Sequence, residues 1–128
     1  MSGRVLIVDD DPGCGRVLAL LVRHLGHEAA YVTSGYKALE FVASHCPDLI
    51  ILDVMMPGMD GLEVLRRIRQ DPRTSGLPVV MFSALADPQF RQSARNQGAS
   101  DYWVKASLNF EDLEERLNPY LAPRDQPN

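Results

Sequence analysis

The chain has 128 residues, is 45% hydrophobic and 23% charged, and carries a formal net charge of −4. This length and composition predict one globular domain with an ordinary apolar core, and the acidic balance argues against a nucleic-acid-binding surface. The all-apolar run Val17–Val22 has six residues, far fewer than the roughly 20 that a membrane-spanning helix needs.

Strand-like and helix-like patterns alternate along the chain from its start. Met1–Arg4 leads directly into a β-branched run, without the pattern of a signal peptide. Five predicted strands share short runs of β-branched, aromatic and other apolar residues: Arg4–Val8, His27–Thr33, Leu49–Leu52, Leu77–Phe82 and Asp101–Val104. Leu49–Leu52 is typical of a strand buried on both faces, whereas His27–Thr33 is less apolar and fits a place nearer an edge.

Each predicted strand is followed by a helical pattern with recognisable ends. Asp11, Asp60 and Asp87 are predicted to cap the first, third and fourth helices. Four residues are predicted to end helices: Gly26, Pro47, Gly98 and Pro119. The fourth helix is poor in apolar residues, so we expect it to be loosely attached. A solvated face is expected on the third helix, formed by Arg66, Arg67 and Arg69.

Five strands that alternate with five helices predict an α/β fold, with one open, doubly wound parallel sheet covered by helices on both faces. We expect the domain to span residues 1–121. Residues 122–128 contain two prolines and are expected to be a disordered tail or the start of a linker. Cys14 and Cys46 have neither metal-ligand spacing nor the density of a disulfide scaffold, which favours a reducing cytoplasm.

Polar residues stand at the carboxyl ends of the predicted strands. Asp9 and Asp10 follow the first strand, Asp53 the third, Ser83 the fourth and Lys105 the fifth. In a parallel sheet these ends share one edge, where open α/β sheets place their chemistry. Three carboxylates there repel one another, and Mg²⁺, which prefers oxygen ligands, would relieve the repulsion. A carboxylate can also attack phosphorus to form an aspartyl phosphate, with Lys105 and Ser83 holding the phosphoryl oxygens.

The sequence resembles the receiver domain of bacterial two-component response regulators from about Arg4 to Leu121. The matching segments are VDD (Val8–Asp10), LDVMMPGMDG (Leu52–Gly61), FSA (Phe82–Ala84) and the lysine of YWVK (Tyr102–Lys105). The resemblance implies a flavodoxin-like, single-domain sheet of strand order 2-1-3-4-5. It also implies a signalling domain of a phosphorelay, which is not a turnover enzyme.

The same resemblance implies a role for each residue of the acidic edge. Asp53 would be the phosphoacceptor and would receive the phosphoryl group from a phosphohistidine of a histidine kinase or phosphotransfer protein. Asp10 and Asp53 would ligate Mg²⁺ together with the backbone carbonyl of Met55. Asp9 would act through a metal-bound water, and Lys105 would bind the phosphoryl group.

A switch is also implied by the resemblance. Ser83 takes the place of the switch hydroxyl and Tyr102 that of the aromatic switch, although Tyr102 as simple core is the alternative. Phosphorylation would move the loop after strand 4 and change the face formed by helix 4, strand 5 and helix 5. A downstream effector, an output domain or a second copy of the chain would bind this face. Direct contact with nucleic acid or membrane is not expected.

Two features depart from the family pattern. Ala106 follows Lys105 where proline is usual, commonly across a cis bond, so we expect a trans Lys105–Ala106 bond and a rearranged loop. Met55 and Leu85 are apolar where many relatives carry polar side chains. Because neither side chain can orient water, we expect slow hydrolysis of the aspartyl phosphate.

Two other functions compete with the phosphoacceptor. A receiver-like interaction module that acts without phosphorylation is favoured by Ala106, but a scaffold needs no carboxylate cluster. A phosphatase or mutase of the haloacid-dehalogenase type would need a second acid two residues after Asp53, where this chain has Met55. We expect no effector domain within 128 residues, so the chain is either a stand-alone receiver or a piece of a longer protein.

Overall fold

The computed structural model describes residues 3–121, and the tail predicted at residues 122–128 lies outside them. Its strands are β1 (Arg4–Val8), β2 (Glu28–Val32), β3 (Leu49–Asp53), β4 (Val79–Ser83) and β5 (Asp101–Val104). Its helices are α1 (Pro12–His24), α2 (Gly35–Ser44), α3 (Gly61–Gln70), α4 (Pro88–Asn96) and α5 (Phe110–Leu117), with a 3₁₀ turn at Lys105–Ser107. The strands are all parallel and lie in the order β2-β1-β3-β4-β5. The predicted flavodoxin-like fold is confirmed.

The central strand β3 is buried along its whole length, as its apolar run predicts. Side chains of alternate strand residues point to opposite faces of the sheet. Leu6 and Ile50 belong to a core cluster shared with α2 and α3, whereas Ile7 and Ile51 belong to a second cluster shared with α1 and α5. Helices therefore cover both faces, and β2 takes the edge position that its weaker apolar pattern indicates.

The helix caps and helix ends that the sequence predicts are confirmed by the structure. Each capping aspartate accepts a hydrogen bond from a backbone N–H two or three residues ahead: Asp11 from Gly13 at 3.0 Å, Asp60 from Glu63 at 2.9 Å and Asp87 from Gln89 at 2.9 Å. Gly26 and Gly98 follow α1 and α4 with left-handed φ angles of 96° and 99°. α2 stops before Pro47, and α5 stops before Pro119.

The fourth strand begins later than predicted. It runs from Val79 to Ser83 instead of starting at Leu77. Pro78 has no N–H to give to a neighbouring strand, although its carbonyl accepts a hydrogen bond from the Ile50 N–H at 3.0 Å. The strand also ends at Ser83 instead of Phe82, so the sheet positions the Ser83 side chain.

Arg69 does not belong to a solvated face, which corrects the prediction for the third helix. Its guanidinium donates hydrogen bonds to the carbonyl oxygens of Leu77 at 2.7 Å and Gly98 at 2.9 Å. Arg69 therefore ties α3 to the segments that enter β4 and β5. Arg66 and Arg67 are exposed, as predicted.

The fourth helix has little buried surface, as its sparse apolar pattern predicts. Ala94 is the only residue of α4 that is buried, and Phe90 on the same helix is 37% exposed. α4 is therefore the helix with the fewest buried residues, and we expect it to move more easily than the others. Across residues 3–121, no helix combines the length and the apolar character needed to cross a bilayer.

Gly61 brings the start of α3 against the backbone that carries Asp53. Its N–H donates to the Val54 carbonyl at 2.9 Å. A Cβ at Gly61 would lie 2.1 Å from the carbonyl oxygen of Asp53, which no side chain can do without displacing the main chain. The start of α3 can therefore pack against the end of β3 because Gly61 has no side chain.

We expect Gly61→Ala to lower the free energy of unfolding by about 1–3 kcal/mol, because the added methyl group overpacks this junction. Gly76→Ala is the matched control, since a Cβ at Gly76 meets no atom within 4 Å. Urea unfolding followed by circular dichroism measures both variants. Equal stability of the two variants would contradict the packing described for Gly61.

Candidate functional site

Acidic and basic side chains from three strands meet at the carboxyl edge of the sheet. Asp9 directly follows β1, Asp53 ends β3 and Lys105 directly follows β5. The Lys105 ammonium nitrogen lies 2.9 Å from Asp9 Oδ2 and 3.5 Å from Asp53 Oδ2. Asp9, Asp10 and Asp53 each offer a carboxylate oxygen, and these oxygens lie within 4.8 Å of one another. The structure thus brings together four of the residues predicted for this edge.

Backbone N–H groups fix the two buried carboxylates. Asp9 Oδ1 accepts a hydrogen bond from the Asp11 N–H at 2.9 Å, and Asp53 Oδ1 accepts one from the Met55 N–H at 3.3 Å. Both aspartates keep their second oxygen, Oδ2, toward Lys105. Each carboxylate is therefore oriented by the turn that follows its own strand.

Burial and charge crowding make the carboxylate of Asp53 unusually basic. Asp53 is 5% exposed. Burial, and then the neighbouring charge of Asp9, raise the pKa of Asp53 from 3.8 to about 6, although Lys105 and the Met55 N–H act in the opposite direction. Burial also lowers the pKa of Lys105, but its hydrogen bond to Asp9 and the two negative charges outweigh this, and its pKa is raised. A single ammonium group therefore leaves the site short of positive charge.

The donor set of the acidic cluster fits a hard divalent cation. All three side chains offer oxygen atoms, which Mg²⁺ prefers, and Mg–O distances of about 2.0–2.1 Å place ligands on opposite sides of the ion about 4 Å apart. The 4.8 Å span of the Asp9, Asp10 and Asp53 oxygens is compatible with that spacing. Asp10 is exposed while the other two are buried, so a bound ion would keep a solvent-facing side for water ligands.

The two predicted switch residues are linked through the backbone of Leu85. Ser83 is buried, and its Oγ accepts a hydrogen bond from the Leu85 N–H at 3.1 Å. The Tyr102 hydroxyl donates to the Leu85 carbonyl oxygen at 2.8 Å. Tyr102 is 3% exposed and belongs to the same core cluster as Ala94 of α4. Tyr102 is therefore a core residue whose polar end reaches the loop after β4.

The segment after β5 turns at once into the 3₁₀ turn. Every peptide bond in residues 3–121 is trans, including Lys105–Ala106, as predicted. The turn leaves Ala106 exposed. Lys105 nevertheless reaches both Asp9 and Asp53, so the replacement of the usual proline does not remove the lysine from the site.

Cys14 lies beside the acidic cluster, where its thiol is close to Asp9. Burial, followed by the charge of Asp9, raises the pKa of the Cys14 thiol to about 11. The thiol is therefore protonated at neutral pH, which agrees with a packing role and not with a redox role.

Sequence reasoning missed two neighbours of the site residues. The Phe82 ring centroid lies 5.6 Å from Lys105 Nζ, and Gly61 contacts the backbone of Asp53. The available signals were the position of Phe82 directly before Ser83 and the glycine at the first position of α3. Neither signal by itself specifies a contact with a residue from another element.

The family model of the response regulator receiver domain matches residues 5–118, and the chain belongs to this family. The DNA-binding response regulator MtrA of Mycolicibacterium smegmatis is 40% identical over 105 residues, which cover 82% of this chain and 45% of MtrA. Response regulator PleD of Caulobacter vibrioides is 41% identical over 105 residues, or 82% of this chain and 23% of PleD. The chain therefore matches less than half the length of these two curated relatives.

Solved structures agree with this assignment. The chemotaxis protein CheY4 of Vibrio cholerae superposes with a TM-score of 0.86 at 28% identity, over 92% of this chain and 98% of that one. The receiver domain of the sensor histidine kinase PA1611 of Pseudomonas aeruginosa, whose structure has a magnesium ion coordinated in the active site cleft, gives a TM-score of 0.84 at 25% identity, over 92% and 96% of the two chains. Receiver domains are signalling domains that interact with histidine kinases and bind Mg²⁺ at an acidic pocket.

The raised pKa of Asp53 predicts a specific dependence of stability on pH in the absence of divalent cations. Between about pH 4 and pH 6 the unfolded chain loses the Asp53 proton before the folded protein does, so this group lowers the free energy of unfolding as the pH rises. Asp53→Asn removes the effect, and we expect it to be about 1–3 kcal/mol more stable than the wild type at neutral pH.

Urea unfolding of both proteins from pH 4 to pH 8 in the presence of a chelator measures this difference. Glu115→Gln is the control, because it removes one exposed carboxylate from α5 and should leave the pH profile of the wild type unchanged. A constant difference between wild type and Asp53→Asn across the range would contradict the raised pKa.

Proposed function

We propose that this domain accepts a phosphoryl group on Asp53 from a phosphohistidine of a histidine kinase or phosphotransfer protein. The observation that carries the proposal is the arrangement of Asp53, which is buried, oriented by a backbone N–H and 3.5 Å from the Lys105 ammonium. Asp9 and Asp10 add carboxylate oxygens within 4.8 Å. A nucleophilic carboxylate, a fixed cation and an oxygen-rich metal site are what phosphoryl transfer to a carboxylate needs.

In the proposed reaction an oxygen of the Asp53 carboxylate forms a bond to phosphorus while the bond from phosphorus to the donor imidazole nitrogen breaks. Lys105 and the Ser83 hydroxyl hold the phosphoryl oxygens. Asp10, Asp53 and the Met55 carbonyl would hold Mg²⁺, with Asp9 acting through a metal-bound water. The ion, when bound, supplies positive charge to the phosphoryl oxygens and to the crowded carboxylates.

The product is expected to last, so the domain acts as a signal carrier and not as a turnover enzyme. Met55 is 61% exposed, and its side chain, like that of Leu85, has no polar group to orient a water molecule. Hydrolysis of the aspartyl phosphate would therefore be slow. In the cell, two free cysteines fit a cytoplasmic setting, where thiols remain reduced.

The output of the proposed switch is the face formed by α4, β5 and α5. A phosphoryl group on Asp53 would attract the Ser83 hydroxyl. The hydrogen bond that Ser83 Oγ now accepts from the Leu85 N–H would then break. The loop after β4 would then move, and the Tyr102 ring would fill the space that the loop vacates. The partner at this face would be an effector protein, an output domain or a second copy of the chain, and the receiver itself would not contact nucleic acid.

A receiver-like module that binds a partner without phosphorylation is the second candidate, and Ala106 after Lys105 is the observation that favours it. The two functions make different demands on the site. A binding module has no need of Asp53 as a nucleophile, whereas a phosphoacceptor is inactive without it.

We expect the intact mass to increase by one phosphoryl group when the protein is incubated with Mg²⁺ and acetyl phosphate, and we expect the adduct to persist for minutes or longer. Asp53→Asn and omission of Mg²⁺ should each abolish the adduct, and Lys105→Ala should slow its formation at least about tenfold. Lys37→Ala is the control for the lysine, since Lys37 is exposed on α2. Mass spectrometry over time gives the rates of formation and loss.

Each other outcome has a distinct meaning. An unmodified wild type would contradict the phosphoacceptor and support the binding module. An adduct on Asp53→Asn would mean that another residue is the nucleophile. A half-life of seconds would contradict the role given to the apolar side chains of Met55 and Leu85.

A further inference from the structure

The Lys105 side chain crosses the end of β4 to reach the acidic cluster. In the sheet, β4 lies between β5, which Lys105 follows, and β3, which Asp53 ends. Neighbouring strands are about 4.8 Å apart, so the lysine must extend past one strand to bring its nitrogen 3.5 Å from Asp53 Oδ2. Asp9, which is 2.9 Å from the same nitrogen, follows β1 and is one strand farther away. The end of β4 therefore provides the surface over which the lysine extends.

Phe82 is the residue of β4 at this crossing. It is paired in register with Asp53 on β3 and with Trp103 on β5. Phe82 and Trp103 both belong to the core cluster that is shared with α1 and α5. The Phe82 ring centroid lies 5.6 Å from Lys105 Nζ, with the ammonium group over the ring, which is within the range of a cation–π contact. The lysine thus contacts an aromatic face on its way to Asp53.

Both partners of this contact are largely shielded from water. Phe82 is 6% exposed, and the Lys105 side chain is 24% exposed. Because the contact is partly desolvated, the attraction between the ammonium and the ring is stronger than it would be at an exposed site. A lysine stem has many rotamers, and a contact that fixes the ammonium reduces the number of arrangements in which it lies away from the carboxylates.

The other restraints on the ammonium are either weak or change during the proposed reaction. Lys105 and Ala106 belong to the three-residue 3₁₀ turn, in which no residue is buried. Asp53 attracts the ammonium through its negative charge, but that charge is used when the carboxylate bonds to phosphorus. The Phe82 ring is neutral and takes no part in that bond, so its attraction for the ammonium persists throughout the step.

We propose that Phe82 is a positioning residue for phosphoryl transfer, whose ring holds the Lys105 ammonium beside Asp53. The inference rests on the proposed function, in which Lys105 holds the phosphoryl oxygens. An ammonium group that is already in place when the phosphoryl group arrives does not have to be ordered during the reaction. Loss of the aromatic face therefore slows phosphorylation, although Phe82 itself makes no bond to phosphorus.

NMR of the protein without a phosphodonor tests the contact itself. The chain has two lysines, Lys37 and Lys105, and Lys37 is exposed on α2. The ring current of an aromatic side chain shifts protons above its face upfield, so we expect the Lys105 Hε signals upfield of those of Lys37. Phe82→Leu should remove this difference, because leucine is apolar but has no ring. Equal shifts of the two lysines in the wild type would overturn the inference, whether or not the domain is phosphorylated.

Replacement of Phe82 by phenylalanines with one, two and three ring fluorines tests its role in the reaction. Fluorine nearly preserves the shape of the ring but withdraws negative charge from its face, so the cation–π attraction weakens in steps. With acetyl phosphate and Mg²⁺, we expect adduct formation to slow in the same order, by about threefold to tenfold for the trifluorinated ring. The matched control is the same series at Phe110, whose ring packs against His24 and which should change the rate less than about twofold.

A second background separates positioning from general stabilisation. In Lys105→Ala the cation is absent, so fluorination of Phe82 should change the remaining rate less than about twofold. Phe82→Tyr keeps an aromatic face and should remain closer to the wild-type rate than Phe82→Leu. A ring that merely stabilised the core would lower the melting temperature by a similar amount in both backgrounds, without a stepwise loss of rate on fluorination.

The outcomes distinguish this inference from the function on which it rests. A wild type that acquires no phosphoryl group would overturn the proposed function, and the inference with it. A wild type that is phosphorylated, together with a trifluorinated Phe82 protein that reacts as fast, would leave the proposed function standing and overturn the role of Phe82. Equal slowing with and without the Lys105 ammonium would also overturn it, because the effect would not act through Lys105.

Discussion

The crowding of three carboxylates around one ammonium group is the constraint on which this domain depends. Asp9 and Asp53 each give one oxygen to a backbone N–H and the other to Lys105. Even so, the pKa of Asp53 stays raised to about 6, because burial and the neighbouring charge of Asp9 outweigh the opposing effects of Lys105 and the Met55 N–H. The folded state therefore has an excess of negative charge at the position where a cation and a phosphoryl group would bind.

The parallel sheet brings these charges together, and its buried core offsets the free-energy cost of their repulsion. Asp9 and Lys105 are 96 positions apart in sequence, yet their side chains are in contact because both follow strands of the same direction. The strands that carry the site are among the most deeply buried parts of the chain, and burial of their apolar side chains offsets the electrostatic cost of the acidic edge. Gly61 adds to this by letting α3 pack directly on the backbone of Asp53.

The sequence predicted features that depend on a single helix or strand. It did not predict contacts between side chains of different elements. The alternation of strand and helix patterns predicted an open parallel α/β sheet, and the polar strand ends predicted that Asp53 and Lys105 lie at one edge. The strand order was implied by the resemblance to receiver domains. The hydrogen bonds of Arg69, and the position of Leu85 between Ser83 and Tyr102, could not be predicted in this way. They depend on the distance between helices, loops and strands, which periodicity does not specify. The later start of β4, by contrast, has a local cause that is visible in the sequence, because Pro78 has no N–H to donate to a neighbouring strand.

The most direct test is thermal unfolding at neutral pH with and without millimolar Mg²⁺, for the wild type, Asp10→Asn and the exposed-acid control Glu115→Gln. If the acidic edge is an unsatisfied cation site, Mg²⁺ binds the folded state and raises the melting temperature of the wild type and of Glu115→Gln by several degrees. Asp10→Asn should lose most of that increase. A wild type whose melting temperature does not respond to Mg²⁺, or an Asp10→Asn variant that responds as strongly as the wild type, would contradict the assignment of a cation site to these carboxylates.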